Sequence, residues 1–577
     1  EGPTGHAFLP APPPPRHETL GRLRDATYDV LVIGAGATGS GVALDAAHRG
    51  LRTALIDGSD LAAGTSGRSS KLVHGGIRYL EQAFLNLDYQ AFGLVREALR
   101  ERAFFLFAAP YMTRVLPIAI PIHSYLELPY MFAGAVAYDV VAGWSNPVPR
   151  ARLFTPTDAL HHFPNLSPDG LKGAVVYHDG QMNDSRMSVT IALTAARHGA
   201  DVANYVTAVS LLKDGEGRVR GARVRDEVTG DEWDVSARAV VNATGPFVDK
   251  VRRLDDAGAE PMVQGAAGVH IVLEDGYAAD TMGMIVPKTS DGRVLFVLPW
   301  EHGTLAGTTD SPSEVTMEPE ATSKEVDFVI QEMNRYLRRK VRRGDVKAAW
   351  SGVRPLVRDP SKASGGTSKL SRTHVINVSP SGLVTITGGK WTTYRAMAED
   401  TVKRVLEEEP RLKVHADEGA STLGVKMLGA DNAELVCNGR YDLITSMLRK
   451  DFSVPKDAAR HLTSSYGTRA LEVGTILRTG YHDVKPGEAP RRLDPDFPYL
   501  EAEVVFAVRS ELAVRAVDVL ARRLRLAFVD AAAAERAAAR VVDIMAKELR
   551  WSKRRKAEEL EHVQGFLARQ RIVGTGA

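Results

Sequence analysis

The sequence predicts a chain of mixed α/β and α+β class: a nucleotide-binding Rossmann unit, a second unit inserted into it, and a helical C-terminal domain. Three observations carry this. Residues 28–57, "YDVLVIGAGATGSGVALDAAHRGLRTALID", read as strand, glycine turn, helix and returning strand. Regular alternation then stops. A long excursion and a three-strand meander ending in "NATG" (242–245) come before "SGLVTITGGKWTTYRAMAEDTVKRVLEEE" (381–409), which restores a strand, a Gly-Gly turn and a helix. Beyond about residue 410 the composition shifts to Ala, Arg, Glu and Leu at helical spacing.

Residues 1–26 are expected to be a flexible arm, stiffened by Pro12 to Pro15. They lack the basic start and apolar block of a signal peptide. Order is expected from Tyr28. Val30 to Ile33 are an apolar run, as suits a strand covered on both faces. Val42 to Ala47 continue as helix, and Gly50 ends it. Between them, Gly34, Gly36 and Gly39 form G-x-G-x-x-G. The first allows the tight turn, the second admits a pyrophosphate to the backbone, and the third lets helix pack on strand. Asp57 ends the next strand, where an acid accepts hydrogen bonds from a ribose diol. Residues 80–107 and 185–200 have helical spacing, and turns at 213–218 and 227–232 divide the meander. The boundaries expected are 27–78, 185–246 and 376–409 for the nucleotide domain, 79–184 and 247–375 for the inserted domain, and 410–577 for the helical one.

Composition excludes several classes. The chain of 577 residues carries 73 basic and 71 acidic side chains, a net +2, so nucleic acid is not an expected partner. Its single cysteine, Cys437, rules out an intramolecular disulfide. No uncharged apolar stretch is long enough to span a bilayer; the best, 131–144, is short and contains Asp139. No metal site is expected.

An interrupted nucleotide fold suits FAD held as a prosthetic group better than NAD. In "SSKLVHGGIRYL" (69–80), Ser69, Ser70 and Lys71 are expected along the pyrophosphate or ribitol, with His74 contacting the flavin. Gly75 and Gly76 would let main chain pass the ring system, and Arg78 and Tyr79 would enter the substrate space. In "TITGGKWTTYR" (385–395), Thr392 or Thr393 would cap a helix whose positive end, with Lys390, faces the flavin. Arg354 and Arg372, on separate strands, suit a shared phosphate. His270, at the edge of a strand, is a candidate base, with Lys390 as its rival.

Together "DVLVIGAGATGSGVALDAAHRG", "TSGRSSKLVHGGIRYLE", "VNATGPFVD", "VHIVL", "LFVLPW", "GTTD", "SGVRPL" and "GGKWTTYR" stand in the order found in one family. From about residue 27 to at least 400 the chain resembles the FAD-dependent glycerol 3-phosphate dehydrogenases of respiratory chains. The helical tail resembles that family's C-terminal cap less specifically.

The resemblance implies a glutathione-reductase-like FAD domain with an antiparallel-sheet substrate domain. It implies oxidation of sn-glycerol 3-phosphate to dihydroxyacetone phosphate, by hydride transfer from C2 to the flavin N5. Electrons would pass to a membrane quinone, menaquinone or ubiquinone. By position, Arg78, Tyr79, His270, Arg354, Arg372 and Lys390 carry over as substrate residues, with His270, Arg354 and Lys390 catalytic. Thr38, Thr65, Ser66, Val206, Thr244, Gly245, Arg354, Gly389, Lys390 and Thr392 join the cofactor set. Trp391 departs from the Leu common in the family.

The same resemblance implies a cytoplasmic homodimer lying on the inner face of the cell membrane. Candidate contacts are the apolar segments 103–112 and 131–144 and the basic runs 335–343 and 550–560. The rival activities are an oxidase using the same substrate with oxygen as acceptor, an amine oxidase on the same fold, and a non-catalytic binder.

Overall fold

The computed structural model describes residues 13–77, 80, 88–143, 146–357, 374–432 and 441–571. Its first sheet runs in the order His374–Val378, Val384–Gly388, Glu232–Asn242, Thr27–Ile33, Thr53–Asp57, Asp201–Asn204. The five strands from Val384–Gly388 onward are parallel, and Thr27–Ile33 sits at their centre, with Val32 opposite both Val241 and Leu55. The unbroken apolar run is explained by this place: helices Ala37–His48, Asp184–Arg197 and Tyr394–Glu408 cover one face. The antiparallel pair Val206–Lys213 and Val219–Asp226 leaves Glu232–Asn242 to cover the other.

One expected segment differs in detail. The end of the expected arm is a helix, Arg16–Asp25, with Leu23 buried and with Arg16 and Arg22 paired to Asp226 and Asp201. Pro15 ends the stiff stretch at its N-terminus and the ion pairs fix the helix to the sheet edge; residues 1–12 lie outside the described residues. Within 80–107, the helix Tyr89–Ala108 is capped by Asp88, whose carboxylate accepts the Gln90 and Ala91 amides; residues 81–87 lie outside the described residues.

The second sheet has ten strands. Ser311–Pro312 and Val346–Val357 both pair with Val263–Leu273, and the path continues through Gly303–Gly307, Leu295–Trp300, Gly283–Val286, Thr113–Ile122 and Gly173–Met182 to Leu72–Val73. Arg152–Phe154 adds to Gly173–Met182. All pairings are antiparallel except that of Gly283–Val286 with Thr113–Ile122. His270 is therefore not at an edge. It lies between Gly307 and Trp350, and the alternation of its strand reflects two differently covered faces.

The C-terminal helices, from Asp442–Asp451 to Lys553–Ala568, share one core with Val272, Trp300 and Trp350 of the second sheet. They are tied to the first sheet by charge. Arg522 and Arg523 reach the Asp60 carboxylate at 2.5 and 2.7 Å, and Arg186 reaches Glu511 at 2.5 Å, all fully or almost fully buried. Burial alone would raise the Asp60 carboxyl, but Arg523 and Arg522 outweigh it and hold it at about 2.

Asp60→Ala, which takes a shared buried carboxylate from two buried cations, should lower stability by about 3–5 kcal/mol at neutral pH, read as a lower urea midpoint. Because the native value is depressed, this contribution is complete above the ordinary 3.8 and is lost as pH falls toward 2. The gap between variant and parent should narrow over that window. Equal midpoints at neutral pH would refute the joint.

Candidate active site

A cavity of about 950 Å³ opens between the two sheets and takes in most of the expected site residues. One end is the dinucleotide cradle. Gly34 turns with φ +106°, and a Cβ there would sit 2.7 Å from Ala243 O. Gly39 does not line the cavity; a Cβ on it would meet Gly34 O at 1.8 Å, so its role is the close packing of helix on strand. The N-terminus of Ala37–His48 faces the cavity, and Ser66 Oγ accepts the Ala37 amide at 2.9 Å. Asp57 accepts the Ala35 and Ser59 amides at 2.7 and 2.8 Å, which orients its carboxylate toward a ribose. Thr38, Thr65, Thr244 and Gly245 line the same wall. A backbone cradle that excludes Cβ atoms, a helix N-terminus and an oriented acid together fit a dinucleotide.

The segment after Ser66 is fixed from beneath. Asp184, fully buried, accepts the Ser69 amide at 2.8 Å and the Lys71 ammonium at 2.8 Å, and Arg525 reaches Gly67 O at 2.9 Å. Ser69 and Ser70 consequently face the cavity. Lys71 does not. Its chain turns into the core, with Nζ 4.3 Å from the Trp350 ring centre, and burial pushes it down to about 7 against the pull of Asp184. The expected contact of Lys71 with the cofactor is thus replaced by a contact with Asp184.

Gly75, too, leaves the cavity: its absent Cβ makes room for Leu99 and Tyr138 rather than for a ring system. Gly76 serves a positive φ of 79°, and Val206 packs in the core while its neighbours Thr207 and Ala208 line the wall.

The turn at 388–392 closes the other side, with Gly389, Lys390 and Thr392 in the lining. The helix behind it starts at Tyr394, after a short 3-10 turn, and no threonine side chain caps it. Thr392 instead bonds the backbone of His74 on both N (3.2 Å) and O (3.3 Å). Trp391 donates Nε1–H to Ser66 O at 2.9 Å, a tie between the two cofactor loops that a Leu lacks.

Facing this turn, the second sheet presents His270 and Arg354. Nε2 of His270 lies 2.8 Å from Ser70 Oγ, and its ring stacks on Trp350 at 4.5 Å. Burial, then Lys71 and Arg354, keeps its imidazole well below the ordinary value and so neutral. Arg354 stands within the strand Val346–Val357. Its guanidinium is oriented by Thr308 Oγ1 at 2.9 Å, Thr309 O at 3.2 Å and Asp310 at 3.0 Å. His74 lines the cavity as well, and burial, Lys390 and Arg102 lower it to about 3. Arg78, Tyr79, Arg372 and Cys437 lie outside the described residues.

Sequence reasoning missed two parts. One is the Thr308–Asp310 cradle of Arg354, whose signal was "GTTD". The other is Arg68, which lines the cavity, donates to Met317 O at 3.1 Å and is lowered to about 10 by burial and by Arg522 and Arg525.

Comparisons with known proteins agree with this geometry. A family profile described as FAD dependent oxidoreductase matches residues 29–395, and one described as the C-terminal domain of alpha-glycerophosphate oxidase matches 420–556. The mitochondrial glycerol-3-phosphate dehydrogenase of Mus musculus is 47% identical over 566 residues, covering 96% of this chain and 75% of that protein. The chain belongs to the FAD-dependent glycerol-3-phosphate dehydrogenases.

The Homo sapiens relative is 46% identical, again over 96% of this chain and 75% of its own length. The glycerol-3-phosphate dehydrogenase of Bacillus halodurans, solved with FAD, superposes with a TM-score of 0.77 at 26% identity, over 96% of this chain and 97% of that one. The protein is accordingly an FAD-dependent oxidoreductase, with an antiparallel substrate sheet and a helical C-terminal domain.

Gly39→Ala should prevent flavin loading, because the new methyl meets a backbone carbonyl that cannot move aside. The 450-nm absorbance of the purified variant, about that of a flavin-free protein, measures this. A normal flavin content would refute the cradle.

Proposed function

We propose that the protein oxidises sn-glycerol 3-phosphate to dihydroxyacetone phosphate and delivers the electrons to a membrane quinone. The observation that carries this is a single cavity with a dinucleotide cradle at one end and, at the other, an oriented Arg354 beside a neutral His270. Bound FAD supplies the hydride acceptor that these side chains lack. Arg354 holds the phosphate with charge-assisted hydrogen bonds, so that binding at a remote group orients the reacting carbon. His270, neutral and hydrogen-bonded through Nε2 to Ser70, takes the proton of the C2 hydroxyl. The positive charge of Lys390 lowers the cost of negative charge developing as that proton leaves. Lys71, engaged by Asp184, is the support of the serine loop, not the base.

A quinone acceptor requires contact with a bilayer. Among the described residues no helix is long and apolar enough to cross one. The helix Glu127–Ala142 supports contact from the surface, since only Ala135 and Tyr138 of it are buried. Leu126 and Val140 are 87% and 73% exposed, and Tyr125, Tyr130 and Val136 add to the same apolar surface. Arg150 and Arg152 are exposed on the segment that Asp139 binds through the Ala151 amide, and they suit anionic headgroups. The basic run 550–560 is a weaker candidate, because Arg554, Arg555 and Lys556 pair with Glu558, Glu559 and Asp543. Dioxygen as acceptor is the second reading, favoured by the C-terminal match.

Arg354→Ala should keep its flavin but lose about a hundredfold or more in kcat/KM, the loss of two charge-assisted hydrogen bonds. Anaerobic bleaching of the flavin by glycerol 3-phosphate measures it; near-normal bleaching refutes the phosphate role. Reoxidation of the bleached parent by a short-chain quinone, and slowly by air, is expected; the reverse order selects dioxygen. Val136→Glu with Val140→Glu should cut co-sedimentation with phosphatidylglycerol vesicles by about tenfold, while short-chain quinone reduction is retained. Undiminished sedimentation would remove this helix from the membrane contact.

A further inference from the structure

Tyr138 belongs to the exposed helix and yet is wholly buried. Its phenol oxygen accepts the Gly75 amide at 2.7 Å and its hydroxyl donates to Asp179 at 2.9 Å. Asp179 takes Arg102 Nη1 at 2.6 Å, and that nitrogen also reaches His178 O at 2.9 Å. Arg102 Nη2 reaches Asn146 Oδ1 at 2.8 Å. Arg102 and Asp179 are each 1% exposed. A buried ion pair of this kind loses its hydration on folding and adds little net stability. Its cost is explained by what it holds. One hydroxyl, fixed in direction by a charged acceptor, meets the backbone amide of Gly75, next to His74 in the cavity wall.

The same turn is gripped from the opposite side. Thr392 bonds His74 on its amide and carbonyl, so the His74–Gly75 peptide stands between Thr392 and Tyr138. Glycine at 75 is required by the grip: a Cβ would lie 2.9 Å from the Tyr138 oxygen and 2.8 Å from Leu99 Cγ. His74, one residue back, lines the cavity. Its ring is kept neutral, so what the grip sets is its position.

We infer that Tyr138, held by Asp179 and Arg102, is a positioning residue for substrate oxidation: it fixes the His74–Gly75 peptide against Thr392 and thereby the reactive geometry of the cleft. The inference rests on the flavin-dependent oxidation proposed above. It assigns to a helix at the surface a direct hold on the cavity wall.

Tyr138→Phe, as the full-length flavin-loaded protein, tests this. It removes the oxygen that the Gly75 amide donates to, and leaves the ring packing against Tyr177. Anaerobic stopped-flow should give a rate of flavin bleaching by glycerol 3-phosphate lower by about tenfold to a hundredfold, the range for a small misplacement of reacting groups. KM should change less than about threefold, and flavin content and the rate of photoreduction should match the parent. A merely structural role would instead lower flavin content or thermal midpoint and leave the rate per bound flavin alone. Wild-type bleaching rates in folded Tyr138→Phe overturn the inference. Failure of the parent itself to bleach overturns the functional reading instead.

Should Tyr138→Phe not fold, Asp179→Asn, which keeps an acceptor for the phenol but not the charge, should show the same split between kcat and KM; a parental rate overturns the inference. Hydrogen exchange in the unmodified flavoprotein needs no variant. The Gly75 amide should be protected, and free exchange there likewise overturns it.

Discussion

The serine loop of the cleft depends on one fully buried carboxylate, Asp184. It receives the Ser69 amide and the Lys71 ammonium, and Arg525 approaches it at 3.4 Å from the C-terminal domain. Isolated charges are costly inside a protein, so a group at this depth has no low-energy alternative to these partners. The serine loop is therefore fixed by its own underside. Asp60 acts in the same way one turn earlier, through Arg522 and Arg523. The helical domain thus does more than cover the second sheet: its buried arginines determine where the cofactor loop runs. Preorganisation of this kind is what electrostatic catalysis requires, since dipoles already aimed need not reorganise during reaction.

Burial, aided by nearby cations, sets the protonation of the cleft. Lys71 and Arg354 add to burial in keeping His270 neutral; Lys390 and Arg102 do so for His74. In the proposed reaction, the cations that would attract a phosphate also help keep these imidazoles able to accept protons at neutral pH. Lys71, lowered to about 7, shows how far this environment disfavours a further positive charge even with a carboxylate in contact.

What was legible in the sequence follows from the range of each interaction. The strand–turn–helix at 28–57 is local: apolar runs, glycine turns and a terminal acid lie within one window, and the structure has them as read. The family motifs carried the cavity wall for the same reason. The failures are long-range. Lys71 and Gly75 sat in a segment rich in site residues, and only partners at Asp184 and Tyr138 turn them inward. His270 looked like an edge residue because the two strands that flank it come after it in sequence. The helix Arg16–Asp25 owes its order to Asp201 and Asp226, which no local pattern reveals. Trp391 read as a departure from the family, and its indole N–H gives it a bond to Ser66 O across 325 positions.

The helix Glu127–Ala142 is an unusual element on physical grounds, and its two sides explain each other. Its inner side contributes the buried Ala135 and Tyr138 and the half-buried Leu128, Met131, Phe132, Ala137, Val141 and Ala142, and Asp139 adds the Ala151 amide. Its outer side carries Leu126, Val136 and Val140, and full burial of such a side chain is worth about 1.5–3 kcal/mol. In the proposed docked state, lipid covers that side and the helix becomes harder to open, as any ligand of the ordered form would make it. Because Tyr138 holds the Gly75 amide, order in this helix and order in the cavity wall share one hydrogen bond. In the proposed transfer of electrons to a membrane quinone, such an arrangement leaves the cleft most ordered where its acceptor is found.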